Sequence, residues 1–195
     1  MILLASQSAS RRAMLTAAGV PFEAVAPGVD EDAAKAALAD LSPRDLADAL
    51  AELKATKVSA RRSGRLVLGS DSLVALADGR RLDKPETRDE ALEHLRAMSG
   101  GTHDLWSAAV VAEDGRPVWR HVARARLVVR PLSERFLDTY MKGEWPAIAG
   151  CAGAFRIEGQ GVQLFDRIDG DHFTVLGLPL LPVLGYLRVR GVLPQ

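Results

Sequence analysis

The chain has 195 residues, 48% of them hydrophobic and 26% charged, a composition that argues against disorder and a length that suits one domain with a real core over 1–195 or two small lobes sharing a sheet. Lysine plus arginine equals aspartate plus glutamate at 25 each, so no global field draws nucleic acid or an anionic membrane, and any anion site must be local. Cys151 is the only cysteine, which excludes an internal disulfide and a cysteine metal cluster and fits a reducing cytoplasm.

Met1–Ala5 is apolar, but no basic residue precedes it and the run stops at Ser6, so it does not read as a signal peptide. Ile2 to Ala5 reads instead as a short buried strand. Ser10 is placed to cap a helix through Met14, Leu15 and Ala18 that stops at Gly19. Phe22 to Ala26 is a second strand, followed by the acid run Asp30-Glu31-Asp32. Ser42-Pro43-Arg44-Asp45 is a helix start, with Leu46, Leu50 and Leu53 at helical spacing and an end near Arg61 or Arg62.

Leu66 to Leu76 is an apolar strand interrupted by Gly69-Ser70-Asp71-Ser72, and Asp78-Gly79 signals a hairpin. Thr87-x-x-Glu90 is a capping box opening a helix that Gly100-Gly101 ends. Asp104 to Ala112 and Val118 to Val129 are strands around the turn Asp114-Gly115. Ser133 caps a short helix. A glycine-rich segment from Gly150 to Gly161 precedes a strand over Val162 to Ile168 and a final helix over Leu178 to Leu187. The most apolar stretch, Val175 to Leu187, carries Pro179 and Pro182 and is too short to span a bilayer. Hairpins interrupting strand–helix units predict an α/β fold with a mixed sheet.

Ser6, Ser8, Ser10, Arg11 and Arg12 crowd the junction of a strand and a helix. A helix start offers free N–H groups and a favourable dipole to an anion, to which hydroxyls and guanidinium forks add donors. The group reads either as a triphosphate clamp or as an over-supplied cap with two solvated arginines. It lacks the glycines of a P-loop. Asp71, inside an apolar strand, is costly unless it meets a partner, a metal or a reaction, and is a candidate general base or metal ligand. Asp30-Glu31-Asp32 reads as a solvated loop or a helix-start acid run, from which one carboxylate could join Asp71 on Mg²⁺. Lys54 borders the apolar face of its helix, where it either snorkels or reaches inward. Lys84 is read as a surface lysine or a phosphate contact. Arg156 and Glu158 lie among the glycines of 150–161, with Glu158 suited to a base edge. The four histidines show no metal-ligand spacing, and Cys151 has no histidine beside it in sequence.

These segments together resemble the Maf family of nucleotide pyrophosphatases. The resemblance rests on Leu3-Leu4-Ala5-Ser6-x-Ser8 with Arg11-Arg12; on Val29-Asp30-Glu31; on Lys54-Ala55; on Gly69-Ser70-Asp71; on Lys84-Pro85; on Ser99 to His103; on Cys151 to Phe155 through Glu158-Gly159; and on Gly177 to Leu180. It implies an extended mixed β-sheet flanked by helices, in two lobes with a deep cleft, like the inosine-triphosphate pyrophosphatases. It implies hydrolysis of nucleoside triphosphates to monophosphate and pyrophosphate with a divalent metal, Mg²⁺ first and Mn²⁺ second, and a homodimer.

By the same resemblance Asp71 is the proton acceptor. Glu31, Lys54 and Lys84 are the other charged catalytic positions, Glu31 and Asp71 hold the metal, and Ser6, Ser8, Arg11 and Arg12 bind phosphate. Ser10, Ser72, Cys151, Arg156 and Glu158 fall at specificity positions. The last three look more like the branch acting on 7-methyl-GTP than the one cleaving dTTP and UTP, whose members carry Thr, Lys and Gln at the places of Ser72, Cys151 and Glu158. A non-catalytic nucleotide-binding regulator of cell division is the rival reading.

Overall fold

The computed structural model describes residues 1–195. In chain order it holds β1 (Ile2–Ala5), α1 (Ala9–Ala17), β2 (Phe22–Val25), α2 (Glu31–Ala37), α3 (Pro43–Ser59), β3 (Val67–Leu76), β4 (Arg81–Leu82), α4 (Arg88–Met98), β5 (Thr102–Glu113), β6 (Arg116–Val129), α5 (Glu134–Glu144), three short 3₁₀ turns between 147 and 164, β7 (Phe165–Asp169), α6 (His172–Val175) and α7 (Leu180–Val189). A seven-stranded mixed sheet in the order β2-β1-β3-β5-β6-β7, with β4 paired to β3, makes this the expected α/β fold. The chain forms two compact units: 1–72 with 106–123 and 172–195, and 73–105 with 124–171. No helix is long and apolar enough to cross a membrane.

In the first unit β1 lies between β2 and β3, parallel to both. All four residues of β1 are buried because both of its faces are covered. Ile2 and Leu4 join Leu68, Met14 and Leu15 of α1, and Val183 and Leu187 of α7 in one core cluster. Leu3 and Ala5 turn the other way, to Val67 and Val58 of α3. Asp30 caps α2, so the acid run is a helix start rather than a solvated loop, and its side chain accepts from the Ala33 amide. The cap of α1 is Ser8 rather than Ser10: the helix begins at Ala9, and Ser8 Oγ accepts from the Arg11 amide at 3.4 Å.

Two further expectations are corrected. β3 runs unbroken through Gly69-Ser70-Asp71-Ser72. The segment 160–164 is a 3₁₀ turn, so the expected strand begins only at Phe165.

In the second unit His103, at 2% exposure, packs between Phe155 and Phe165 with centroids 5.7 and 6.0 Å away. Neither ring nitrogen has a partner. Burial is the larger cause and pushes the imidazole pKa down from 6.5 to about 4, against a smaller opposing pull from Asp104. The unfolded chain therefore takes up a proton near pH 6.5 that the folded chain refuses until about pH 4, so stability is held above pH 6.5 and lost as pH falls across that window. The expected loss is roughly 3 kcal/mol by pH 4, at 1.36 kcal/mol per unit. Urea unfolding of wild type and His103→Leu from pH 7 to 4 checks it: the variant should lack most of this slope, and equal slopes would contradict the assignment.

Candidate active site

Strand alternation decides which way each residue at the middle of β3 points. Gly69 faces α3 so closely that a Cβ there would lie 2.3 Å from the Ala51 carbonyl oxygen and 2.6 Å from the Ala55 nitrogen. Asp71, two residues on, faces the same way. The missing side chain at Gly69 lets α3 pack against β3, and this brings Lys54, buried on α3, to Asp71. Lys54 Nζ donates to Asp71 Oδ1 at 2.6 Å and pairs with Glu31 Oε1 at 2.9 Å. Lys54 thus reaches inward, and Glu31 supplies the second carboxylate from the first turn of α2. Side-chain exposure is 5% for Lys54, 8% for Asp71 and 37% for Glu31, so the buried pair opens toward water on the Glu31 side.

Ser70 and Ser72 point to the opposite face. Ser70 Oγ donates to the Gly177 carbonyl at 3.2 Å. Ser72 Oγ lies 3.2 Å from that carbonyl and 2.8 Å from Ser107 Oγ, which in turn donates to the Thr174 carbonyl. Arg11 closes this knot. Its Nε donates to the Gly177 carbonyl at 2.8 Å, and its terminal nitrogens donate to Ser72 Oγ at 3.1 Å and Ser6 Oγ at 3.4 Å. Burial, the largest influence, pushes the guanidinium pKa down, and the charges of Asp71 and Glu31 pull it back. Gly177, at φ +101°, keeps its carbonyl in this position because a side chain there would be strained and 3.3 Å from Ser72 Oγ.

The two arginines therefore divide. Arg11 is inside, committed to Gly177 and Ser72. Arg12 is exposed and, with Ser6 and Gln7, lines an open depression of about 330 Å³ against residues 24–26. That depression lies at the C-terminal ends of the parallel strands β1 and β2, beside the start of α1. The first-turn amides of α1 have no partner inside the helix. Ser10 sits on α1 without a side-chain bond to the clamp.

The second unit holds its own cluster. Lys84 and Glu158 are exposed, and Cys151 is half-buried. The Gly153 amide donates to the Asp83 carbonyl at 3.3 Å, tying the Lys84 loop to the glycine-rich segment. Burial first, then the Glu158 carboxylate, pushes the Cys151 thiol pKa up, with Arg156 and Lys84 opposing; this is not the setting of a reactive thiolate. Arg156 is no free cation: its Nε and terminal nitrogen reach Glu144 Oε2 at 3.0 and 2.8 Å. Sequence reasoning missed Glu144, and it quoted Gly177 within the resemblance without giving it a role. A carboxylate in the last turn of α5 opposes the helix dipole, and that misfit was the available signal for Glu144.

The family model described as "Maf-like protein" matches residues 1–190. The chain is 51% identical over 196 residues to a nucleoside triphosphate pyrophosphatase of Sphingopyxis alaskensis, covering 100% of this chain and 99% of that one. It is 54% identical over 194 residues to one of Caulobacter vibrioides, covering 98% and 96%, and 51% identical over 195 residues to one of Hyphomonas neptunium, covering 99% and 98%.

Proposed function

The chain belongs to the Maf family, and from that premise we propose that it hydrolyses nucleoside triphosphates between the α and β phosphorus, releasing nucleoside monophosphate and pyrophosphate. The enzyme class is that of its relatives, a hydrolase of the nucleoside triphosphate pyrophosphatase type. The observation that carries the reading is the buried lysine held between two carboxylates, Lys54 with Asp71 and Glu31. A charge set this costly to bury suits a reaction better than stability alone.

Asp71 takes the proton of the attacking water. Lys54 fixes the orientation of Asp71 and Glu31 and offsets part of their negative charge. Arg12, Ser6, Ser8 and the amides opening α1 hold the charge that gathers on the departing pyrophosphate. Arg11 acts through Ser72 and Gly177, holding the wall behind this site rather than touching phosphate. Lys84, Cys151 and Glu158 are assigned to the nucleotide, with the Glu158 carboxylate accepting from N1–H and the amino group of a purine such as 7-methylguanine.

Asp71 and Glu31 are oxygen donors of the kind Mg²⁺ or Mn²⁺ takes, but the Lys54 ammonium occupies both, so a divalent ion would bind there only by displacing it and with phosphate oxygens completing its shell. A divalent ion bound there would neutralise charge on the phosphate oxygens. The chain's single cysteine accords with a cytoplasmic setting.

The test is a panel of 7-methyl-GTP, GTP, UTP, dTTP, CTP and ATP with Mg²⁺, scored for pyrophosphate against orthophosphate. Pyrophosphate is expected, led by 7-methyl-GTP. UTP or dTTP in the lead would move the chain to the pyrimidine branch. No pyrophosphate from any of them would favour the binding-regulator reading.

A further inference from the structure

We infer that Glu144 is the positioning residue of the nucleotide-recognition loop: it acts through Arg156 and the Gln160 amide to set the place of Glu158. The inference rests on the functional reading above, which assigns the 150–161 segment to the nucleotide. Glu144 is 4% exposed at the end of α5. Its two oxygens are divided between two points of the loop. Oε2 accepts two bonds from the Arg156 guanidinium at 3.0 and 2.8 Å, and Oε1 accepts from the Gln160 amide at 3.1 Å. Glu158 lies between these anchors in sequence, so its backbone is held on both sides while its own side chain stays exposed.

Two glycines are where this wrapping requires them. A Cβ on Gly161 would lie 2.4 Å from the Arg156 carbonyl oxygen and 2.7 Å from its nitrogen, so the loop doubles back on itself there as only glycine permits. A Cβ on Gly159 would lie 3.0 Å from Glu144 Oε1 and 3.3 Å from an Arg156 terminal nitrogen, so Gly159 makes room for the ion pair. An ion pair with the carboxylate buried and the guanidinium 33% exposed adds little to stability, whereas its directed bonds fix one geometry. A loop built round one buried carboxylate, with the exposed Glu158 carried between its anchors, fits a device that sets where a recognition group stands.

The experiment compares wild type, Glu144→Gln and Gly159→Ala on the nucleotide panel, resolving kcat from KM. Amide hydrogen exchange at Gln160 is read in parallel. In Glu144→Gln the pair with Arg156 is lost. The expected result is a KM for the preferred nucleotide raised about ten-fold, kcat within about three-fold, and a preference over the next nucleotide reduced about ten-fold. Gln160 exchange should be faster. Gly159→Ala, which leaves both charges in place, should shift the preference in the same direction, and it decides the matter if Glu144→Gln does not fold. An unchanged preference, or an equal fall of kcat on every nucleotide, would overturn the inference and leave the pyrophosphatase reading standing. A wild type that releases no pyrophosphate would overturn both.

Discussion

Asp71→Asn is expected to keep the fold and lose turnover by a factor on the order of 10²–10⁴, the usual contribution of a general base. The substitution is nearly isosteric, and the amide oxygen still accepts from Lys54 Nζ, which sits 2.6 Å from Oδ1. Lys54 also keeps its pair with Glu31 at 2.9 Å, so the buried ammonium is not left alone. The stability cost is that of weakening one charge-assisted hydrogen bond, about 1.5–3 kcal/mol. Far-ultraviolet circular dichroism and a denaturation midpoint check the fold, and steady-state pyrophosphate release checks turnover. A folded Asp71→Asn protein with wild-type turnover would remove Asp71 from the mechanism.

Gly69→Ala should be the most damaging single-methyl change in the first unit. The added carbon would stand 2.3 Å from the Ala51 carbonyl oxygen and 2.6 Å from the Ala55 nitrogen. Both are backbone atoms inside α3, so no side-chain rotation relieves the overlap; α3 and β3 must separate. Overpacking of a well-filled core costs 1–3 kcal/mol, and with helix backbone as the obstacle the expected loss is about 3 kcal/mol or more. The same separation draws Lys54 away from Asp71, so activity should fall with stability. Gly185→Ala is the control, since its Cβ would meet nothing within 4 Å and it lies in α7; it should be neutral or slightly stabilising. Urea midpoints of the two variants decide it. Equal stability in both would contradict the close packing of α3 on β3.

What the sequence disclosed depended on whether the partner of a residue was local. The bounds of β1 and the caps at Ser42, Thr87 and Ser133 were legible because each is written within a few residues. At α2 the acids in the first turn left a helix start and a solvated loop both open, because none of its residues is buried and so it carries no apolar period. β3 read as broken because Ser70, Asp71 and Ser72 are polar. Their partners, Lys54 and the Gly177 carbonyl, lie 17 and more than 100 residues away. Alternation was present all the same: Gly69 and Asp71 turn to α3, and Ser70 and Ser72 to Gly177. The pair Arg11-Arg12 looked like one motif and is two: adjacent helical positions point about 100° apart, which sends one guanidinium into the core and the other to water.

The central claim is water attack at the α-phosphorus, with pyrophosphate leaving. Hydrolysis of the best nucleotide from the panel in ¹⁸O-labelled water, with both products analysed by mass spectrometry, tests it most directly. The label should enter the nucleoside monophosphate and leave the pyrophosphate unlabelled. Label in the pyrophosphate would place the attack on the β-phosphorus, and labelled orthophosphate would make the chain a phosphatase; either result would contradict the mechanism.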